Sequence, residues 1–454
     1  MGEYVQSPRV GGPNEAQWLL QTDNKQLSHL DIDVEAAIED HHATATVVGS
    51  MFTLTNTILG SGTLAVPFAI ASSGWLLGNV VMLAIALITR YSVYLLLTAS
   101  DRAGYHCAKT YESIGHYTMG TFGTMLAEFT FIFGGFGTLV SYFIFITDLF
   151  AAVFAIDARH KWLVTVLCLA CVILPLSLTR KIGKLRLSSV LAILSITYVV
   201  AFVLVAFLVV VNSDASIDFS RAQAVRFEPG SVYTVTLLIG AFACHNTALP
   251  VYDELRSRSI TRMNRAVAGA IGIAFVLYEV IGLFGYLQFG ELTQDNILLN
   301  FNDAYVAANP LLRFPLLVGR SCMGLALLLT TPIAMWPFRS CILSVYLRFK
   351  NGGKQTASSA ATNREHAAVT LGSQLLILLC SIFVPSVKIP LSIVGSVSGS
   401  LLIFVMPALF FMLLSPHALV SRQHVGPLLM LAAGVCVGTV GLSMTLYKIY
   451  HEHF

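Results

Sequence analysis

Two glycines and a proline interrupt the first long apolar segment, within the run Asn56-Thr57-Ile58-Leu59-Gly60-Ser61-Gly62-Thr63-Leu64-Ala65-Val66-Pro67. Gly60 and Gly62 weaken a helix, and Pro67 has no backbone N–H group to donate. Inside a bilayer, freed backbone groups are costly unless they line a polar cavity. The run therefore predicts a helix broken at mid-depth, with N–H and C=O groups turned toward a ligand.

A second interruption lies in the sixth apolar segment, in the run Ala243-Cys244-His245-Asn246-Thr247-Ala248-Leu249-Pro250. When the two runs are aligned, Pro250 falls on Pro67 at a distance of 183 residues, and Ala248 falls on Ala65. Interrupted segments at matching places in two halves of a chain indicate the binding site of a membrane transporter.

The composition is that of a membrane protein. The 454 residues are 56% hydrophobic and 11% charged, with a mean hydropathy of +0.75, whereas soluble domains carry about 25% charged residues. A bilayer-spanning helix needs about 20 apolar residues. Eleven segments satisfy this: about 46–73, 75–98, 121–155, 162–178, 187–211, 231–251, 264–289, 313–338, 367–385, 390–414 and 426–449. The fold class is therefore all-α and polytopic, the lipid bilayer is the expected surrounding, and nothing indicates a nucleic-acid partner.

The basic residues predict the orientation of the spans. With the N-terminus inside, 18 of the 27 Lys and Arg residues fall in inner segments and seven in outer ones, which is the bias of cytoplasmic loops. The N-terminus is thus expected in the cytoplasm and the C-terminus outside the cell or in a lumen. Residues 1–44 are polar and rich in acids, and we expect a flexible cytoplasmic tail there.

Four stretches resemble the amino acid/auxin permease family, which includes the system A and system N neutral amino acid transporters and fungal vacuolar amino acid transporters. The stretches are Asn56-x3-Gly60-Ser61-Gly62-x4-Pro67 with Ser73-Gly74-Trp75, Cys244-His245-x4-Pro250-x-Tyr252-x-Glu254-Leu255, Thr330-x-Pro332 with Pro337 and Arg339, and Gly395-Ser396 with Leu402-Ile403-Phe404 and Pro407. The resemblance covers about residues 45–450.

The resemblance implies a bacterial leucine transporter-like fold of two inverted five-helix repeats plus one extra helix. We place the transporter domain at 45–451, repeat one at about 46–211, repeat two at about 231–414, and the extra helix at about 426–449. The span count and the spacing of the two breaks fit this arrangement independently.

The backbone at the breaks suits a free amino acid, which carries a carboxylate and an ammonium on one carbon. We assign the carboxylate to the amides of Gly60, Ser61 and Gly62, at the positive end of a half-helix. The ammonium is assigned to carbonyls near Phe242, Ala243 and Cys244. Further predicted lining residues are Asn56, Thr57, Tyr142 and His245. The alternative is that the glycines only bend or pack the helix.

The coupling ion is predicted to be Na⁺ or H⁺, with no cofactor. In system A and N transporters Na⁺ lies between spans one and eight, and the motif implies Asn56 and Thr330 as ligands here. Thr331 offers a second hydroxyl oxygen. The alternative is that Asn56 links helices and that Thr330 bonds its own backbone, as Ser and Thr do in membrane spans.

Ionisable residues inside a membrane are functional candidates. His245, Glu128 and Glu279 are the predicted proton-coupling candidates. Structural alternatives are a satisfied core histidine for His245, pairing with Arg90 for Glu128, and pairing with Arg320 for Glu279. Asp253, Glu254 and Arg256, together with Arg258, are expected to form a gate at the inner end of span six.

These observations predict a secondary active transporter of L-amino acids that works by alternating access, not an enzyme. An isolated His245-Asn246 pair does not make an acyltransferase site, since no nucleophile or metal motif accompanies it. The alternative function is an amino acid sensor with little net flux. We expect the protein to act as a monomer, in the plasma membrane or in a vacuolar or lysosomal membrane.

Overall fold

The computed structural model describes residues 45–104, 110–179, 186–212, 222–351, 361–416 and 421–453. The predicted acidic tail, 1–44, lies outside the described residues. Ten helices are long and apolar enough to cross a membrane, and the number is eleven when one bent pair is counted as a single span. The predicted number of eleven spans is confirmed on that count.

Numbered in chain order, span 1 is the bent pair Val47–Ile58 and Gly62–Ala71. Spans 2 to 6 are Trp75–Ala103, Tyr111–Val153, Ala158–Leu178, Val190–Val211 and Pro229–Asp253. Spans 7 to 11 are Ile260–Leu292, Pro310–Lys350, Asn363–Phe383, Lys388–Leu413 and Arg422–His451. We call the face that holds Ala45 the N-terminal face, and the other the opposite face.

Span 3 consists of two helices that meet at a sharp kink at Gly120, where φ is +61°, so its long helix starts at about the predicted residue 121. Thr110 caps the first helix, which starts at Tyr111 and folds back so that Gly115 contacts Gly123. The Tyr111 side chain is buried. The first helix brings Tyr111 to span 10, where its hydroxyl forms a hydrogen bond to backbone.

Span 10 contains an eleven-residue π-helical stretch, Gly395–Val405, that ends just before Pro407. The Met406 N–H bonds the carbonyl of Leu401, five residues earlier in the chain. The next residue, Pro407, has no N–H group that could bond the carbonyl of Leu402 or Ile403. Tyr111 donates to the Leu402 carbonyl at 3.2 Å, and Ser92 donates to that of Ile403. Side chains from spans 2 and 3 thus supply donors to two carbonyls beside the proline, which itself lacks one N–H.

Glycines allow the spans to pack closely. A Cβ atom at Gly395 of span 10 would overlap the carbonyl oxygen of Thr236 in span 6, so the glycine allows these two spans to touch. Gly434 in span 11 faces Phe404 of span 10 in the same way. In span 3, Gly134 faces Ser398 and Gly135 faces Phe338, so these two glycines serve helix packing.

Candidate functional site

The first break separates the two halves of span 1 by a 61° bend. Leu59 ends the first half with a ψ of 78°, outside the helical range, and the Gly60 N–H turns back to the Ile58 carbonyl at 2.9 Å. The N–H groups of Thr63 and Leu64 bond the carbonyls of Gly60 and Ser61, each at 3.2 Å. The amides of Ser61 and Gly62 precede these bonds, at the positive end of the second half.

The second break divides span 6 into Val232–Ala241 and His245–Asp253. Phe242 closes the first half through its N–H bond to the Leu238 carbonyl, at 3.0 Å. The Cys244 carbonyl accepts the N–H groups of Thr247 and Ala248, both at 3.1 Å, and so opens the second half. Phe242 and Cys244 are buried, and Ala243 is half-buried.

The two breaks meet inside the bundle. A Cβ atom on Gly62 would lie 3.2 Å from both the Cα and the Cβ of Ala241, so the glycine allows close contact between spans 1 and 6. The Thr57 hydroxyl donates to that of Thr247 across the same junction, at 3.2 Å. Gly62 therefore does serve helix packing, which was the alternative given for it. The same close contact brings the backbone groups of the two breaks side by side.

Tyr278 of span 7 links the carbonyl ends of both broken spans. Its hydroxyl lies 2.6 Å from the Ile58 carbonyl oxygen and 3.1 Å from that of Ala241. Its ring meets the Phe242 ring edge-on, with centroids 5.2 Å apart. Nothing in the sequence marks this residue, because a tyrosine in a long apolar helix carries no local signal.

Tyr142 of span 3 lies beside the first break. A Cβ atom on Gly60 would lie 3.5 Å from the Tyr142 hydroxyl oxygen, so this hydroxyl borders the space that the glycine leaves open. The ring is buried, and span 3 packs against spans 8 and 10 on its other sides. The phenol thus presents one polar atom at the break.

Oxygen atoms suited to a hard cation occur in spans 1 and 8. The Asn56 Oδ1 atom is buried and has no hydrogen-bond partner among the described residues. Thr330 and Thr331 donate to the carbonyls of Ala326 and Leu327, both at 2.7 Å. Thr330 therefore bonds its own helix and not Asn56. Each hydroxyl donates its proton in this way and keeps lone pairs as acceptors, and neutral oxygens of this kind suit Na⁺.

His245 lies behind the second break. It is fully buried, and its Nε2 atom lies 2.7 Å from the Ser92 hydroxyl in span 2. Ser92 gives its only proton to the Ile403 carbonyl, so His245 must be the donor and carry its proton on Nε2. The Nδ1 atom has no partner within the described part of the chain. His245 thus links span 6 to spans 2 and 10.

The two intramembrane glutamates differ in their surroundings. The structural alternative for Glu128 was a pair with Arg90. Glu128 instead accepts hydrogen bonds from Arg348 and Ser344 of span 8. Glu279 has one buried oxygen without a partner in the described ranges. Arg320, its suggested partner, donates to the carbonyls of Leu298 and Phe301 at 3.0 and 2.9 Å.

A charged network closes the N-terminal face around Arg258. Arg258 lies 3.1 Å from Asp101 of span 2 and 3.7 Å from Asp253, and Asp101 also accepts the Tyr252 hydroxyl at 2.9 Å. Glu254 and Arg256, predicted for the gate, are exposed. Their backbones bond Ala45 instead, at 3.1 and 3.0 Å, which ties the start of span 1 to the end of span 6.

The described residues hold no cluster of three or more His, Cys, Asp or Glu side chains that could bind a metal ion. The polar groups at the breaks are backbone dipoles, hydroxyls and the Asn56 amide. Such groups match the charged ends of a small zwitterion and a monovalent cation.

Comparisons with known sequences cover almost the whole chain. A family model described as transmembrane amino acid transporter protein matches residues 43–451. Sodium-coupled neutral amino acid symporter 2 of Danio rerio is 25% identical over 478 residues, which covers 94% of this chain and 90% of that protein.

Solved structures show the fold. The crystal structure of MhsT in complex with L-phenylalanine aligns with a TM-score of 0.54 at 12% identity, over 88% of this chain and 98% of that one. A Na⁺-coupled sialic acid symporter in a substrate-bound outward-open state aligns with a TM-score of 0.48 at 13% identity, over 90% and 89%. The expected leucine transporter-like architecture, two inverted five-helix repeats plus an extra helix, is confirmed by the first alignment.

Proposed function

Because the chain belongs to the family of transmembrane amino acid transporters, the amino acid/auxin permease family, we propose that it is a secondary active transporter of neutral L-amino acids. It works by alternating access, and the driving ion is Na⁺. The observation that carries the proposal is the junction of the two broken spans, where Gly62 meets Ala241 and Thr57 bonds Thr247.

The substrate's two charged groups have separate sites at this junction. The carboxylate binds the amides of Ser61 and Gly62, with Gly60 leaving room for its approach. The positive end of the following half-helix stabilises the negative charge. The ammonium binds carbonyls at the negative end of the first half of span 6, near Phe242. Tyr142 and Thr57 border the same space.

Sodium is the preferred coupling ion for two reasons. Asn56 Oδ1 is a buried oxygen that lacks a partner, and Thr330 and Thr331 present hydroxyl lone pairs. The Danio rerio relative is a sodium-coupled neutral amino acid symporter by name. Among the proton candidates, Glu128 is committed to Arg348 and His245 to Ser92, which leaves Glu279 as the acid to test if sodium fails.

The N-terminal face is the cytoplasmic one in this proposal, since the charge bias of the loops places it there. The Arg258–Asp101–Asp253 network is then a cytoplasmic gate that opens in the inward-facing state. The two repeats are bounded at about 46–211 and 231–414, and one protomer contains a whole site.

The test is uptake of labelled neutral amino acids into proteoliposomes, under an imposed Na⁺ gradient and then an imposed H⁺ gradient. Wild type is compared with Thr330→Ala and with Thr197→Ala. Thr197 is a matched control, because its exposed hydroxyl also bonds its own helix, at 2.8 Å to Ile193. We expect sodium to drive uptake, Thr330→Ala to raise the half-saturating Na⁺ concentration at least tenfold, and Thr197→Ala to match wild type.

Each other outcome identifies what is wrong. Uptake driven only by protons, with Thr330→Ala unchanged, refutes the sodium site and makes Glu279 the residue to substitute next. Binding of amino acids without flux under either gradient refutes the transporter and supports the sensor.

A further inference from the structure

Tyr278 occupies a place where two helix ends of the same charge meet. Ile58 ends the first half of span 1 and Ala241 ends the first half of span 6, so both carbonyls lie at the negative ends of helix dipoles. Two such ends repel each other unless a donor lies between them. The Tyr278 hydroxyl is that donor, at 2.6 Å from Ile58 O and 3.1 Å from Ala241 O.

The hydroxyl has one proton for two acceptors. The Ile58 carbonyl is also bonded by the Gly60 N–H at 2.9 Å, and with the shorter tyrosine bond its two lone pairs are occupied. The hydrogen bond from Tyr278 to the Ala241 carbonyl is the longer and weaker of the two. Of the two, Ala241 O is therefore the carbonyl that can accept a further donor.

Span 7 holds the hydroxyl in a fixed position. Tyr278 is fully buried, and span 7 packs against both halves of span 1. Gly285 permits this contact, since a Cβ atom there would lie 3.0 Å from Pro67. The Phe242 ring, edge-on to Tyr278, supports it from span 6. The phenol is thus held by helices of the bundle and not by a loop.

We propose that Tyr278 is the positioning residue for the substrate's ammonium: its hydroxyl holds the Ile58 and Ala241 carbonyls at a spacing that leaves Ala241 O to receive the ammonium. The inference rests on the proposed function. Without the hydroxyl, the two negative ends separate, and the ammonium must bring them together at the expense of affinity. The Tyr278 hydroxyl bonds the Ile58 and Ala241 carbonyls and not the side chains assigned to Na⁺, so we expect its loss to weaken ammonium binding more than Na⁺ binding.

The experiment compares Tyr278→Phe with Tyr286→Phe in sodium-driven uptake. Tyr286 is a matched control, because it lies two turns further along span 7, is also fully buried, and also bonds backbone through its hydroxyl, to Gln223 N at 3.0 Å. We expect Tyr278→Phe to raise the KM for the amino acid about tenfold, the effect of leaving buried acceptors without their donor. Vmax per folded transporter and the half-saturating Na⁺ concentration remain within twofold, and Tyr286→Phe leaves the KM at the wild-type value.

A third variant, Tyr278→4-aminophenylalanine, restores a donor at the same position. It should return the KM to within twofold of wild type, and it tests the idea even if Tyr278→Phe does not fold. A tenfold higher KM in the amino variant refutes the inference, as does an equal effect of Tyr278→Phe and Tyr286→Phe. In both cases wild-type uptake persists, whereas failure of the proposed function removes uptake from wild type itself.

Discussion

Glu128 is a single residue whose charge is stabilised by one partner on another span. Its side chain is 4% exposed and that of Arg348 is 16% exposed, and Ser344 donates a further hydrogen bond at 3.0 Å. Removing one partner of a buried ion pair leaves an uncompensated charge, whereas removing both does not.

We therefore expect Glu128→Gln to lower the free energy of unfolding by about 3 kcal/mol. The double variant Glu128→Gln, Arg348→Met should recover most of that loss, because no lone charge remains. Thermal unfolding of the purified proteins in detergent measures both effects. Additive losses in the double variant would show that the two side chains do not form a pair.

Among the residues of the candidate site, those whose type marks a break or a polar contact could be proposed from the sequence. Gly60, Gly62 and Asn56 could be found because glycine and asparagine in an apolar segment signal freed backbone or a polar contact. Tyr278 could not, since its role comes from where span 7 lies. Arg348 was missed as the partner of Glu128 for the same reason: ion pairs between distant helices depend on packing.

Packing between whole helices depends on glycines at their contacts, and span 10 shows this at its junction with span 6. Gly395 leaves no room for a side chain against the Thr236 carbonyl. Gly372 of span 9 has no atom within 4 Å of where its Cβ would lie. The two glycines therefore serve as a test and its control.

Gly395→Ala should destabilise the protein by more than about 3 kcal/mol, since backbone must move to accept the methyl group. Gly372→Ala should be neutral or stabilise by up to about 1 kcal/mol, because alanine favours a helix more than glycine does. Fluorescence-detected size-exclusion chromatography after a heat challenge compares the two. Equal behaviour would mean that spans 6 and 10 are further apart than described here.

The number of helices was predictable from hydropathy, and their irregularities only in part. The breaks in spans 1 and 6 could be predicted from the glycine, proline and polar residues in these two segments. The π-helical stretch of span 10 reads as an ordinary apolar segment, and only Pro407 hints that its hydrogen bonding changes. Residues 111–120 are less apolar than the rest of span 3 and form a separate helix before the kink at Gly120, which agrees with a predicted start of the span at about residue 121.

For the molecule as a whole, an odd number of spans places the two chain ends on opposite sides of the membrane. With the N-terminal face in the cytoplasm, the start of span 1 and the start of span 11 both lie there. The end of span 11, near Tyr450, then faces the outside or a lumen.

This orientation predicts the result of an epitope-tag experiment. A tag before Met1 should react with antibody applied from the cytoplasmic side, and a tag after Phe454 should be protected from that side, whether the protein lies in the plasma membrane or in an organelle. Proteins that carry each tag alone, with transport measured for both, serve as each other's control. Both tags on one side would require an even number of spans and would contradict the bent pair Val47–Ile58 and Gly62–Ala71 as one crossing.

Pro407 has a consequence for how the protein is made. The carbonyls of Leu402 and Ile403 are satisfied by Tyr111 and Ser92, and Ser92 is in turn supported by His245. All three partners are synthesised before span 10 leaves the ribosome. Span 10 can therefore find its missing hydrogen-bond donors as soon as it enters the membrane, whereas the same helix produced on its own would carry exposed carbonyls into lipid. Biosynthetic order is in this sense a condition for the stability of span 10.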